Sequence, residues 1–215
     1  MRIAVIGTGG VGGYFGARLS EAGEDVTFIA RGAHLEAMKN KGLAIHSPLG
    51  NMHLDKIQCT DDPSTIAPVD IVMIAVKLWA TNEAIEAARP LLSEGTGIIS
   101  FQNGILAEEL LLKAFTKTHA MGGVANIAAL IEEPGVIRHN GTMASLFFGE
   151  LDNESSSRSK LLLEACEKAN ITASIPEDIN RAIWEKYIRL VTMAAMTTIC
   201  RMPIGPIRND TDTRS

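Results

Sequence analysis

The chain has 215 residues, 46% of them hydrophobic and 21% charged, with a formal net charge of -5. That length and composition suffice for one large core and part of a second domain, and the acidic balance excludes a general nucleic-acid binder while leaving room for a local basic pocket. Cys59, Cys166 and Cys200 are odd in number and far apart, so they read as reduced thiols of a cytoplasmic protein without a zinc site.

Ile3 to Ile6 is a short apolar run suited to a buried parallel strand. It breaks at Gly7 into Gly7-Thr8-Gly9-Gly10-Val11-Gly12, a G-x-G-x-x-G spacing followed by an amphipathic segment (Tyr14, Phe15, Ala17, Leu19, Ala22). Each glycine has a task in dinucleotide binding: Gly7 permits the tight turn, Gly9 admits a pyrophosphate to bare backbone, and Gly12 lets the helix lie against the strand. A second strand, Asp25 to Ala30, ends where a ribose-reading residue belongs, and Arg31 stands there. A guanidinium suits the 2′-phosphate of NADP, where an NAD site would carry Asp or Glu; otherwise Arg31 is a solvated loop residue. His34 reads as a surface residue.

A helical pattern through Leu35 and Met38 ends near Gly42. Leu43 to Ile45 and Met52 to Leu54 flank a hairpin loop, and Ile57 to Cys59 forms a further strand. Asp70 to Val76 is the next buried strand and delivers Lys77 at its ligand-facing end, where a solvated strand cap and a ligand contact are equally consistent with position. A helix over Thr81 to Leu92, capped by Thr81 or Asn82, precedes the strand Gly97 to Phe101, which ends in Gln102-Asn103-Gly104. Asn-Gly is a tight turn by default, but Asn103 at that end can orient a carbonyl or an ammonium.

Glu108 to Phe115 reads as a helix and His119 to Ala128 as a strand. Val136 to Arg138 and Ser145 to Phe148 read as two strands around Asn140-Gly141, followed by a helix from Lys160 to Ala169 and a short strand from Ile171 to Ile175. This order predicts an α/β fold: a Rossmann-type doubly wound sheet over residues 1–176, followed by the start of an all-helical domain over residues 177–215. From Ile179 to Cys200 runs a helix apolar almost all round, as in helices buried within larger assemblies, and a homodimer is the simplest assembly that covers it. No basic-then-apolar leader precedes the first strand, and Leu190 to Cys200 is too short to span a bilayer, so a membrane partner is not expected. The final residues read as the cap of a helix that does not follow, from which a shortened C-terminal region is expected.

The chain resembles the ketopantoate reductases (2-dehydropantoate 2-reductases) in its opening GTGGVGGYFG, Arg31-Gly32, Ala75-Val76-Lys77, Phe101-Gln102-Asn103-Gly104, Pro134-Gly135-Val136 and Ile183-Trp184-Glu185-Lys186. The resemblance runs from Met1 to about Arg208. It implies NADPH-dependent reduction of a small 2-oxo acid to a 2-hydroxy acid, as in the conversion of 2-dehydropantoate to pantoate in pantothenate biosynthesis, with Lys186 as the proton donor. It further implies that Asn103 contacts nicotinamide and substrate, that Lys77 lies near the cofactor and helps position the lysine, and that the backbone near Ala128 reaches the cofactor. Desolvation among apolar neighbours such as Trp184 would lower the amine's proton affinity toward neutrality. Without the resemblance, Lys186 reads as a helix-surface lysine beside Glu185.

The chain departs from the family where asparagines bind the substrate: Leu190, Ala194 and Ile204 stand at those positions. Loss of three amide contacts favours a more apolar 2-oxo acid. The competing reading is a non-catalytic NADP-binding or sensor module that uses the helix over 179–200 for partner contacts.

Overall fold

A computed structural model describes residues 1–214 of the chain. Its elements run β1 (Arg2–Ile6), α1 (Gly10–Glu21), β2 (Asp25–Ile29), α2 (Gly32–Lys41), β3 (Leu43–His46), β4 (Met52–Leu54), β5 (Gln58–Thr60), β6 (Ile71–Ile74), α3 (Thr81–Ala88) and β7 (Gly97–Ser100). They continue with α4 (Ala107–His119), β8 (Ala120–Glu133), β9 (Val136–Glu150), α5 (Ser157–Lys168), β10 (Thr172–Ser174), α6 (Ile179–Cys200), α7 (Ile204–Asn209) and α8 (Thr211–Arg214).

One sheet holds all the strands in the order β4-β3-β9-β8-β7-β6-β1-β2-β5, with β10 beside β9. The stretch β5-β2-β1-β6-β7-β8 is wholly parallel. It is the doubly wound order, whose ligand crevice opens at the carboxyl ends of the strands where the winding reverses. The reversal lies between β1 and β6, so the crevice is flanked by Gly7, which follows β1, and by Val76 and Lys77, which follow β6.

Both faces of this sheet are buried, which is why β1 and β6 are continuously apolar rather than alternating. Ile3 and Val5 pack on one side with Phe15, Leu19, Leu35 and Met38 from α1 and α2. Ala4 and Ile6 pack on the other with Ala84, Ile85, Leu111 and Phe115 from α3 and α4.

Three sequence expectations are corrected. The two strands expected around Asn140-Gly141 are one strand, β9, because its pairing with the long β8 continues on both sides of the dipeptide. The Asn-Gly excursion becomes a bulge instead, with Ala128 alone on β8 opposite Asn140 to Met143. α3 has Ala80 at its cap position with no side-chain cap, since the Thr81 hydroxyl donates to the Leu78 carbonyl at 2.6 Å. The last residues are helical: α7 is followed by α8, whose first turn receives Asp210 Oδ1 on the Asp212 N–H at 3.0 Å.

α6 buries Ile179 and Ile183 and leaves Trp184, Ile188, Val191 and Ile199 exposed. No helix among the described residues is long and apolar enough to cross a membrane.

The glycine turn separates two kinds of position. A methyl on Gly12 would collide with the Gly7 carbonyl oxygen and come within 2.8 Å of Val5 Cγ1, whereas one on Gly9 meets nothing within 4 Å. Gly12→Ala is therefore expected to cost about 1–3 kcal/mol as α1 is forced off β1. Gly9→Ala should stay within about 0.5 kcal/mol of the parent; urea unfolding of the two variants checks both values.

Candidate active site

The crevice is built from backbone. Gly7, at φ +95°, turns the chain off β1 in the left-handed region that a Cβ disfavours, and its N–H donates to the Ile29 carbonyl at 3.1 Å. α1 then starts at Gly10, with Gly9 in the cap position and no side chain accepting from its first N–H groups. An uncapped helix start carries unpaired donors and the positive end of the helix dipole, a combination suited to phosphate. Gly7, Thr8 and Gly9 line a cavity of about 260 Å³. Thr8 contributes backbone only, because its buried hydroxyl donates to the Ile29 carbonyl at 3.1 Å. Val11 and Gly12 belong to the first turn of α1 but do not line that cavity. Gly10 lies under β8, where a Cβ would collide with the Ala129 carbonyl.

Arg31 stands at the mouth of the same cavity, at the start of α2, with its side chain 62% exposed and Nη1 2.6 Å from Glu83 Oε1. So exposed a pair is weak, and an anion can compete for the guanidinium. His34 is not the surface residue expected from sequence. It lines the cavity, its Nδ1 accepts from the Gly135 N–H at 3.0 Å, and its Nε2 is buried with no hydrogen-bond partner. Burial holds its proton affinity below that of an ordinary imidazole.

The ends of β6 and β7 are tied together by Gln102. Its Nε2 donates to the Val76 carbonyl at 3.0 Å and to Thr81 Oγ1 at 2.9 Å, while its Oε1 accepts from Ser100 Oγ at 3.1 Å. Beyond this anchored residue Asn103 is exposed, as is Lys77 beyond β6. Lys77 lines neither the cradle cavity nor the cavity that holds Asn103.

Lys186 comes from far along the chain. Asp178 caps α6 by accepting from the Arg181 N–H at 3.0 Å, and Ile179 and Ile183 pack on Val124 of β8. Gly122 admits the helix so closely that a Cβ there would lie 2.7 Å from Ile179 Cγ1. Residue 186 continues that face at helical spacing, so the lysine stem runs to the strand and Nζ donates to the Ala125 carbonyl at 2.6 Å. Burial, then the neighbouring Arg189, bring its pKa down to about 8, with Glu108 opposing the shift. Arg189 itself donates to Asn126 Oδ1 at 2.9 Å. Trp184, expected to shield the amine, is 52% exposed and meets Tyr187 edge-on, so desolvation comes from contact with β8 instead.

Ala128 is exposed at the bulge, between Ala125, which receives Lys186, and Ala129, which covers Gly10. Asn103 shares a second cavity, of about 460 Å³, with Tyr187, Leu190, Ala194 and Ile204. The structure thus gathers Gly7, Thr8, Gly9 and Arg31 at one cavity and Asn103 with α6 at another. Glu83, Glu108 and Arg189, to which the sequence reading gave no role, join these surroundings, as does His34, which it read as a surface residue. Only tertiary packing reveals them, since none falls within a recognisable spacing. Among the described residues no group of His, Cys, Asp and Glu side chains is arranged to hold a metal ion.

An uncapped helix start facing a cavity, with a part-buried lysine of α6 bonded to the adjoining strand, suits a nucleotide-dependent enzyme, and comparison with known proteins agrees. The family described as ketopantoate reductase PanE/ApbA matches residues 3–153. The chain is 36% identical over 207 residues to the uncharacterized oxidoreductase YkpB of Bacillus subtilis, an alignment covering 96% of this chain and 68% of that protein. It is 33% identical over 207 residues to the 2-dehydropantoate 2-reductase of Archaeoglobus fulgidus, covering 96% of this chain and 66% of that one. The crystal structure of 2-dehydropantoate 2-reductase from Geobacter metallireducens superposes with a TM-score of 0.92 at 32% identity, covering 100% of this chain and 70% of that one. The chain therefore spans about two thirds of the length of these relatives. With the fold, the glycine cradle and the matched sequence in agreement, this chain belongs to the ketopantoate reductase family of oxidoreductases.

Proposed function

We propose that the protein reduces a small 2-oxo acid to the 2-hydroxy acid with NADPH, Lys186 giving the proton to the carbonyl oxygen. The observation that carries this reading is the part-buried Lys186 ammonium on the Ala125 carbonyl, on the same strand whose Ala129 backbone covers Gly10 of the cradle. The residues fit a dinucleotide: the position of a Gly9 Cβ is open, and the first turn of α1 has no side-chain cap. In this reading Gly7, Thr8 and Gly9 hold the pyrophosphate by backbone, with Gly10, Val11 and Gly12 forming the turn behind them. Arg31 exchanges Glu83 for the 2′-phosphate, and Lys77 and the backbone at Ala128 border the cofactor. When bound, NADPH supplies hydride.

The chain's own task is charge. As the carbonyl carbon is reduced, negative charge grows on its oxygen, and an ammonium facing that oxygen both stabilises the charge and supplies the proton. The ammonium has three N–H donors, so its bond to the Ala125 carbonyl leaves others for this purpose. Asn103 orients the substrate at the edge of the second cavity. Because Leu190, Val191, Met193, Ala194 and Ile204 make up most of that cavity's wall, the proposed substrate carries an apolar side chain. Along that apolar stretch a substrate hydroxyl finds no partner, the polar side chains of the lining being Asn103, Tyr187 and Thr197.

NADPH oxidation with a panel of 2-oxo acids tests the reading. Apolar side chains are expected to give higher kcat/KM than the hydroxylated 2-dehydropantoate, and the reverse order would refute the proposed substrate class. Lys186→Ala is expected to lower kcat by about a hundredfold or more. Because the protonated amine is the active form, the reduction rate should hold at neutral pH and fall as pH rises through about 8. Arg31→Ala should weaken NADPH binding by about ten- to a hundredfold while leaving NADH binding unchanged, as read by titration calorimetry.

A further inference from the structure

The cavity at the glycine cradle is lined from both helical layers. Arg31 and His34 reach it from the start of α2, and Glu83 and Ala84 from the start of α3. α2 packs on one face of the sheet and α3 on the other, so the Arg31–Glu83 pair, with Nη1 2.6 Å from Oε1, joins the two layers at the cavity. Among the described residues that line it, Arg31 is the one Lys or Arg, while Asp61 and Glu83 are carboxylates.

The two partners sit differently in the backbone field. Arg31 is the cap residue of α2, where the positive end of the helix dipole opposes a cation. Glu83 lies in the first turn of α3, where the same effect favours a carboxylate. Arg31 therefore takes its stabilisation from a partner outside its own helix, whereas Glu83 keeps a favourable field when the pair is broken.

We propose that Glu83 is a specificity-determining residue for the dinucleotide: it occupies the Arg31 guanidinium in the free protein and so holds the preference for NADPH below what Arg31 alone would give. The proposal rests on the reading that Arg31 receives the 2′-phosphate. For that contact the guanidinium must leave Glu83, and the phosphate then stands near a carboxylate that has lost its partner. NADH carries a hydroxyl in place of the phosphate, makes no demand on Arg31, and leaves the pair in place. Glu83 thus opposes one dinucleotide and is indifferent to the other. Both side chains, 62% and 60% exposed, are accessible enough to exchange partners.

Titration calorimetry with NADPH and with NADH, at low ionic strength and with no 2-oxo acid present, tests this in the whole chain. Glu83→Gln is expected to tighten NADPH binding by about three- to tenfold and to leave NADH binding unchanged. Unchanged or weaker NADPH binding would overturn the proposal, as would an equal gain for both dinucleotides. Because the effect is assigned to competition for Arg31, the gain should shrink to less than about twofold when Glu83→Gln is made in the Arg31→Ala background. A gain that survives there shows that Glu83 does not act through the guanidinium, and also overturns it. If NADPH binds as expected in these variants but the parent reduces no 2-oxo acid, the reductase reading fails and the role of Glu83 stands. If the parent reduces a 2-oxo acid with NADPH but Glu83→Gln binds it no more tightly, the role of Glu83 fails and the reductase reading stands. A parent that binds neither dinucleotide overturns both.

Discussion

The candidate site depends on one strand having two different neighbours along its length. At Ala129, β8 lies so close over Gly10 that no side chain fits between them, and at Ala125 the same strand offers its carbonyl to Lys186. Four residues of extended chain cover roughly 13 Å. The glycine cradle and the ammonium are therefore held at a fixed spacing by backbone. The bulge at Ala128 falls between these two points and adds local twist where the strand passes from one neighbour to the other.

Burial acts in opposite directions on the two titratable groups beside this strand. It penalises the charged form of each, raising the carboxyl of Glu108 and lowering the amine of Lys186 until both titrate close to neutrality. An ordinary exposed lysine, with a pKa of about 10.4, would hold its proton too firmly to be an efficient donor. Arg31 is different in kind: its pairing with Glu83 is exposed and leaves the guanidinium only loosely committed, the condition in which an incoming phosphate competes best.

Much of the fold was legible because its signals are local. The apolar run at Ile3 to Ile6, the glycine spacing and the apolar run at Ile71 to Ile74 each announce an element within a few residues, and alternation of strand with helix implies the parallel sheet. Asn140-Gly141 was a true local signal with a different outcome, since pairing along the whole of β8 outweighs one turn-forming dipeptide. The site was less legible. His34 is half-buried and bonded to Gly135, 101 residues away in sequence, and Glu108 has its Oε2 buried without a partner. Burial of this kind is a property of the assembled sheet, and no spacing within α2 or α4 encodes it. The expectation for Trp184 failed for the same reason: adjacency in sequence to Lys186 put it on another face of α6.

The sheet order also carries a consequence for assembly in time. β8 and β9 are joined by a turn of two residues, whereas Ala44 of β3 must find Val136 of β9 far along the chain. Loop closure is least costly for the short connection, and parallel pairings between distant segments come later and more slowly. The ribbon that bears Ala125 and Ala129 can thus form from its own neighbourhood, and the nucleotide cradle and the lysine helix have a common template on which to dock, each by its own route.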